Sequence, residues 1–217
     1  MSSARSYGQA CYLSRSLDVL GERWTLLVIR ELLAGPRRYG ELATHLDGMG
    51  TNLLATRLKE MELAGLIEKK PERSGAKRQV YILTERGLGL RPMLRELLRW
   101  GLRELASPDA TNFIHRDLWD QIAVVLLHTP SSDRTGSGLI ALCSGEKSAC
   151  FRLTKGVLSL EREPSSSIDT ELTGNPAGFI KLISGSRSLA TLTRCKELTL
   201  KGDRTLAREW AAGYRAR

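Results

Sequence analysis

Asn52, Thr56 and Lys59 recur at intervals of four and three residues, the spacing that brings side chains onto one side of a helix. An amide, a hydroxyl and an ammonium in a row contain no nucleophile poised by a base and no metal-ligand pattern. The chemistry open to them is recognition, by donation to phosphates or to base edges in a groove that admits one helix. Leu54, Leu58 and Met61 mark the opposite, apolar side and predict a helix that buries this stripe, with Thr51 capping its start and Gly65 ending it. Arg57 flanks the donor row and is expected to face phosphate. The same pattern also fits an ordinary amphipathic helix with a solvated polar face, so the neighbouring segments carry weight.

Immediately downstream, Leu66 to Lys70 and Gln79 to Leu83 are short strand-forming runs separated by PERSGAKR, whose Pro71, Ser74 and Gly75 are turn formers. A hairpin is predicted. Its tip carries Arg73, Lys77 and Arg78, with Lys69 and Lys70 nearby, against Glu68 and Glu72. Such cations suit a DNA backbone, because neutralising phosphates releases counterions. Helix, basic hairpin and a further helix after Thr84 follow the order of a DNA-reading winged helix.

The upstream segments must position these parts. Leu13, Leu17 and Leu20 form one apolar stripe, and Trp24, Leu27, Val28, Leu32 and Leu33 form a second; both are expected in the core. AGPRRYGEL breaks a helix at Gly35 and Pro36 and restarts it. Arg37 and Arg38 therefore sit where backbone donors could also meet an anion, or else are plain surface charge. From Leu90 to Leu105 the apolar residues cover too wide an arc for one contact. One side can pack on its own domain and the other on a second subunit or on the C-terminal half.

A length of 217 residues suggests two domains, placed at 1–107 and 108–217. The formal charge of +9 divides as +6 and +3 between them, with the excess on the side of the expected DNA surface. No apolar run approaches the roughly 20 residues needed to cross a bilayer, and the N-terminus lacks a long apolar signal region, so a cytoplasmic protein without membrane contact is expected. Cys11, Cys143, Cys150 and Cys195 lack paired zinc-type spacing, and neither a metal nor a cofactor is expected. His45, His115 and His128 stand apart from any nucleophile, and GxSxG, HExxH and GxxxxGK are absent, which argues against an enzyme.

The second half predicts a helix near residues 112–127, then strand-like GLIALCS, SACFRLT, GVLSLERE and SIDTELTG forming a meandering sheet. Helical NPAGFIKLISGSRSLATL, the strand LTLKGD and a closing helix follow. The fold class is α+β, a winged helix-turn-helix followed by a sheet-and-helix domain.

Residues Cys11 to Gly101 resemble the HxlR family of bacterial winged-helix regulators, on an early Cys, RWTLLVIREL, RRYGEL, RLKEME and YILT. This resemblance implies a homodimer on double-stranded DNA, each subunit offering a helix to the major groove and a wing to the backbone. It also implies repression as the usual mode. GMGTNLLATRL departs from the family's more frequent Ile-Ser segment, so sequence preference does not transfer. Some relatives use an early cysteine as a redox or electrophile sensor; Cys11 matches that place, with Arg15 one turn away to favour the thiolate. A small residue packed on the dimer helix is the other reading of Cys11.

Asp169 to Gly185 and Leu198 to Asp203 resemble the sterol carrier protein type two-like fold, which implies an apolar tunnel. Phe151, Leu153, Leu158, Leu160, Phe179, Leu182, Ile183 and Leu192 would line it for an apolar effector, or would simply fill a closed core. Three functions stay open: a DNA-binding regulator answering an apolar effector, a thiol switch through Cys11, and a hydrophobic-ligand carrier with a secondary DNA-binding domain.

Overall fold

The computed structural model describes residues 6–73, 75, 77–105, 136–145, 147–155, 157–161 and 167–212, with the backbone alone at 102–105, 147, 157 and 160. The predicted helix at 112–127, His115 and His128 lie outside them. The chain divides into two compact units, Met1–Leu94 and Arg95–Arg217, so the division falls inside a helix rather than after it.

The first unit contains α1 (Tyr12–Leu20), α2 (Thr25–Leu33), α3 (Tyr39–His45) and α4 (Thr51–Leu63). The strands β1 (Ile67–Pro71) and β2 (Gln79–Leu83) follow, then α5 (Glu85–Leu88) and the start of α6 (Arg91–Leu105). Leu54, Leu58 and Met61 of α4 are buried, together with Val28, Ile29 and Leu32 of α2 and Leu42 of α3. The end of α4 is a double-bonded turn: Leu66 N–H donates to the Met61 carbonyl at 3.0 Å and Gly65 N–H to that of Glu62 at 2.9 Å. Gly65 takes φ +67° there, a left-handed conformation that glycine adopts without a Cβ penalty. This turn delivers Leu66 and Ile67, both buried, directly into β1.

Glu31 of α2 is buried, and its charge is matched by Arg30 at 2.6 Å and by Nδ1 of His45, on α3, at 3.0 Å. A buried carboxylate without such partners would cost several kcal/mol, so this pair ties α2 to α3.

Two apolar stripes depart from expectation. Of the α1 stripe only Leu20 is buried, whereas Leu13 is 68% exposed and Leu17 39%. On α6, Leu94 is buried, but Met93, Leu97 and Trp100 are exposed. Periodicity marks an apolar face correctly, yet within one chain nothing described covers these two faces.

The second unit holds a five-stranded sheet in the order β5-β4-β3-β6-β7. Its strands are β3 (Gly138–Ser144), β4 (Lys147–Thr154), β5 (Val157–Glu161), β6 (Thr170–Gly174) and β7 (Leu198–Gly202). The helices are α7 (Pro176–Ile183), α8 (Leu189–Arg194) and α9 (Arg204–Ala212). The expected meander holds only for β3 to β5, since β6 pairs parallel with β3, Leu142 opposite Leu172. Short apolar runs disclose strands but not their partners. Asn175 caps α7 by accepting from Gly178 N–H at 2.8 Å, with Pro176 at the first helical position. Asp203 caps α9 in the same way, through Thr205 N–H at 2.7 Å and Leu206 N–H at 3.1 Å.

Alternation gives β3 two apolar faces. Ile140 and Leu142 join Phe151, Leu153, Leu158, Leu172, Phe179, Leu182, Ile183, Leu192 and Trp210 in one buried cluster, while Leu139, Ala141 and Cys150 lie on the other face. Phe179→Ala should therefore lower unfolding free energy by roughly 3–5 kcal/mol, as for other large-to-small core changes. Chemical denaturation followed by circular dichroism checks this, and a loss below about 1 kcal/mol would mean that Phe179 borders open space rather than packed neighbours.

Candidate nucleic-acid interface

The buried stripe of α4 sets which of its residues face outward. Thr51, Asn52, Thr56 and Lys59 are all exposed. Thr56 Oγ1 donates to the Asn52 carbonyl at 2.9 Å, leaving its lone pairs outward. Thr51 is not the cap expected of it: Gly50 occupies that position without a side-chain hydrogen bond, and no acidic residue lies in the first turn. The start of this 13-residue helix thus keeps backbone donors and a partial positive charge free of carboxylates. Tyr39 Oη, at the first position of α3, donates to the Thr51 carbonyl at 2.7 Å and ties the two helix starts together.

The start of α3 is organised differently. Glu41 accepts from Arg38 N–H at 2.6 Å and fills the position that an anion could otherwise occupy. Arg37 joins the wing through its backbone, exchanging hydrogen bonds with Tyr81 at 3.1 and 2.8 Å and adding a one-residue third strand beside β2. The Arg38 side chain is ion-paired with Glu72 at the base of the hairpin turn. Neither role is legible in local spacing, because each depends on a partner more than 30 residues away in the chain.

Arg57 corrects the sequence reading. It is buried, with Nη1 on Glu60 at 2.6 Å and Nη2 on Glu22 at 3.1 Å, so its guanidinium pins α4 to the α1–α2 turn rather than flanking the donor row. The roll of the helix places position 57 beside Leu54, Leu58 and Met61.

In the hairpin, Ile67 pairs with Leu83 and Pro71 with Gln79. Lys69 lies 5.1 Å from the Tyr81 ring centroid and 3.4 Å from Glu62, and Lys70 pairs with Glu68 at 2.8 Å, so these cations are partly occupied. Arg73, Lys77 and Arg78 are exposed, and among the described residues no carboxylate is ion-paired with them. The wing tip therefore presents three exposed cations.

Cys11 is exposed at the N-terminal cap of α1. The open backbone amides of Ser14 and Leu13 draw its thiol below the ordinary value of 9.0; Arg15 is not the cause. Cys143 and Cys150 are pushed the opposite way, chiefly by burial. Seven of the eight residues proposed as a tunnel lining are at most 5% exposed within one cluster and behave as core, and the Leu160 side chain is outside the described set. Among the described residues no three His, Cys, Asp or Glu side chains group as metal ligands.

Helix, turn, outward helix and basic hairpin together define a winged helix-turn-helix unit. Residues 19–109 match the family described as HxlR-like helix-turn-helix. The chain is 39% identical over 97 residues to the HTH-type transcriptional regulator Rv3095 of Mycobacterium tuberculosis, covering 45% of this chain and 61% of that protein, so it spans about three fifths of the mycobacterial relative. It is 34% identical to the HTH-type transcriptional regulator YvaP of Bacillus subtilis, covering 40% of this chain and 80% of YvaP. The reduced form of the transcriptional regulator YodB from B. subtilis aligns at 31% identity and a TM-score of 0.37, over 42% of this chain and 91% of that one. The chain belongs to the HxlR-like helix-turn-helix family of transcription regulators.

The Arg38 pair is testable by titration. Hydrogen bonding to Arg38 holds the Glu72 carboxyl below the ordinary value of 4.5. A folded value below the unfolded one means the contact adds stability that is fully present above the unfolded value and is lost progressively as pH falls from there through the depressed one. Carbon-13 NMR should give Glu72 a midpoint below 4.5, and Arg38→Ala should return it most of the way. A midpoint indifferent to that substitution would remove the contact.

Proposed function

We propose that this protein is a sequence-specific, double-stranded DNA-binding repressor acting as a homodimer. The observation that carries the reading is the outward, exposed row Asn52, Thr56 and Lys59 on a helix that runs directly into a wing whose Arg73, Lys77 and Arg78 are exposed. In this assignment α4 enters the major groove, its uncapped start and Thr51 meet a phosphate, and the wing follows the adjacent backbone. Arg38 retains 39% side-chain exposure and takes a supporting place by holding the wing against α3. The exposed apolar residues of α1 and of α6 support a second copy as their cover, which would present two recognition helices to paired half-sites. Repression is the mode assigned because occupying an operator excludes other proteins without any further contact. The C-terminal unit is assigned the role of ligand input.

Selection from a random double-stranded DNA pool should return a near-palindromic site. On that site Lys77→Ala or Arg78→Ala should weaken binding to all sequences and reduce the salt slope by about 1 each. Asn52→Ala or Thr56→Ala should instead cost roughly 1–3 kcal/mol at particular base positions and leave the slope unchanged. Failure to enrich any site with folded, reduced protein would sink the assignment.

A second input is favoured by one specific observation, the exposed Cys11 thiol drawn down by the amides of α1. A thiol that ionises more readily reacts sooner with oxidants and electrophiles. Cys11→Ser should keep DNA affinity within about twofold and abolish any loss of binding on diamide treatment, as read by fluorescence anisotropy. An oxidant response that survives in Cys11→Ser would exclude this thiol as the sensor.

A further inference from the structure

We propose that Arg38, Arg73 and Arg78 form a phosphate site that Glu72 occupies in the free protein, and that a phosphate of the DNA backbone displaces this carboxylate when the wing meets the duplex. This deepens the DNA-binding reading and rests on it. Glu72 is then a carboxylate that restrains affinity, in addition to bracing the wing.

The carboxylate stands among three arginines from two parts of the unit. Arg38, the residue before α3, reaches it from 34 positions away in the chain, through Nη2. Arg78 is its neighbour across the hairpin: Glu72 N–H donates to the Arg78 carbonyl at 2.9 Å, one step beyond the Pro71–Gln79 pair. Residues opposed in this way share a face of the hairpin. Arg73 is the next residue in the turn, and both Arg73 and Arg78 are exposed. Hydrogen bonding to Arg38 is the largest cause of the lowered Glu72 carboxyl, and the charges of Arg38, Arg73 and Arg78 act in the same direction. A carboxylate and a phosphate make the same demand on arginine, so the cations gathered around one suit the other.

The carboxylate is held in a way that a phosphate can displace. The Arg38 and Glu72 side chains are 39% and 26% exposed, and ion pairs this open to water contribute little. Only Nη2 of Arg38 reaches the carboxylate, and Nε has no hydrogen-bond partner among the described residues. The fork that arginine can offer an anion is therefore half used. Nor does the wing need the carboxylate to keep its place, because Arg37 and Tyr81 exchange two backbone hydrogen bonds that carry no charge. Once a phosphate sits on Arg38, Glu72 remains as a negative charge close to the DNA backbone. It then opposes binding to every sequence alike, and the sequence-independent part of the affinity falls.

A brace and a displaceable occupant predict opposite signs. Fluorescence anisotropy of the full chain with the selected operator and with a scrambled duplex, across a salt series, separates them. Glu72→Gln should bind both duplexes about fivefold more tightly or better at about 0.1 M salt, and steepen the salt slope by about 1, the worth of roughly one further phosphate contact. Glu72→Ala should act in the same direction. Arg38→Ala should weaken both duplexes, and the double variant Arg38→Ala with Glu72→Gln should lose the gain. Thermal unfolding should change little in each, since the pair is partly exposed. Affinities of Glu72→Gln and Glu72→Ala at or below that of the unsubstituted chain would overturn the proposal and leave the pair as a brace alone. A gain that survives in the double variant would overturn it as well, because Arg38 would then not hold the phosphate. In both cases operator binding by the unsubstituted chain keeps the DNA-binding reading standing, whereas no duplex binding by any of these proteins overturns both.

Discussion

One-sided burial of α4 is the constraint on which the DNA-facing surface depends. Leu54, Leu58 and Met61 are each at most 2% exposed, and burying such side chains is worth roughly 1.5–3 kcal/mol apiece. The Arg57 pairs reach carboxylates that are nearly half exposed, where an ion pair contributes only about 0–1 kcal/mol. Burial therefore sets the roll of the helix, and Arg57 fixes its position against the α1–α2 turn. With roughly 100° between successive residues, that roll alone turns Asn52, Thr56 and Lys59 outward.

The wing inherits its place from the same helix. The turn at Gly65 feeds α4 straight into β1, so register in the hairpin is linked to the end of the helix. A two-stranded hairpin is marginal by itself. Here it is braced from α3's side of the unit, by the backbone bridge between Arg37 and Tyr81 and by the side-chain pair of Arg38 and Glu72. Arg38, which looks like a free surface cation in the sequence, is thus paired to the wing, while Arg37 contributes its backbone, and the cations at the tip are exposed.

The C-terminal unit is organised by packing on one face of its sheet. Its sheet packs one face against α7, α8 and α9 through Phe151, Phe179 and Trp210, all with no exposed surface. Leu189 of α8 and Leu198 of the edge strand, 7% and 1% exposed, belong to the same cluster. Apolar residues in a sequence mark what is buried in either case, and only their mutual contacts distinguish a closed core from a lined cavity.

Sequence alone determined the elements whose signals are local. The α4 stripe, its end at Gly65, the hairpin runs and the strands of the second unit were all readable, because periodicity and turn chemistry act within a few residues. It also carried the family, through segments that recur in order. Tertiary structure decided what depends on distant partners. Gly50 rather than Thr51 caps α4, Arg57 is buried between Glu22 and Glu60, Leu13 and Leu17 are exposed among the described residues, and β6 lies parallel to β3. A charge finds its partner, and an apolar face its cover, through contacts between residues far apart in the chain, and no local pattern encodes which of them will meet.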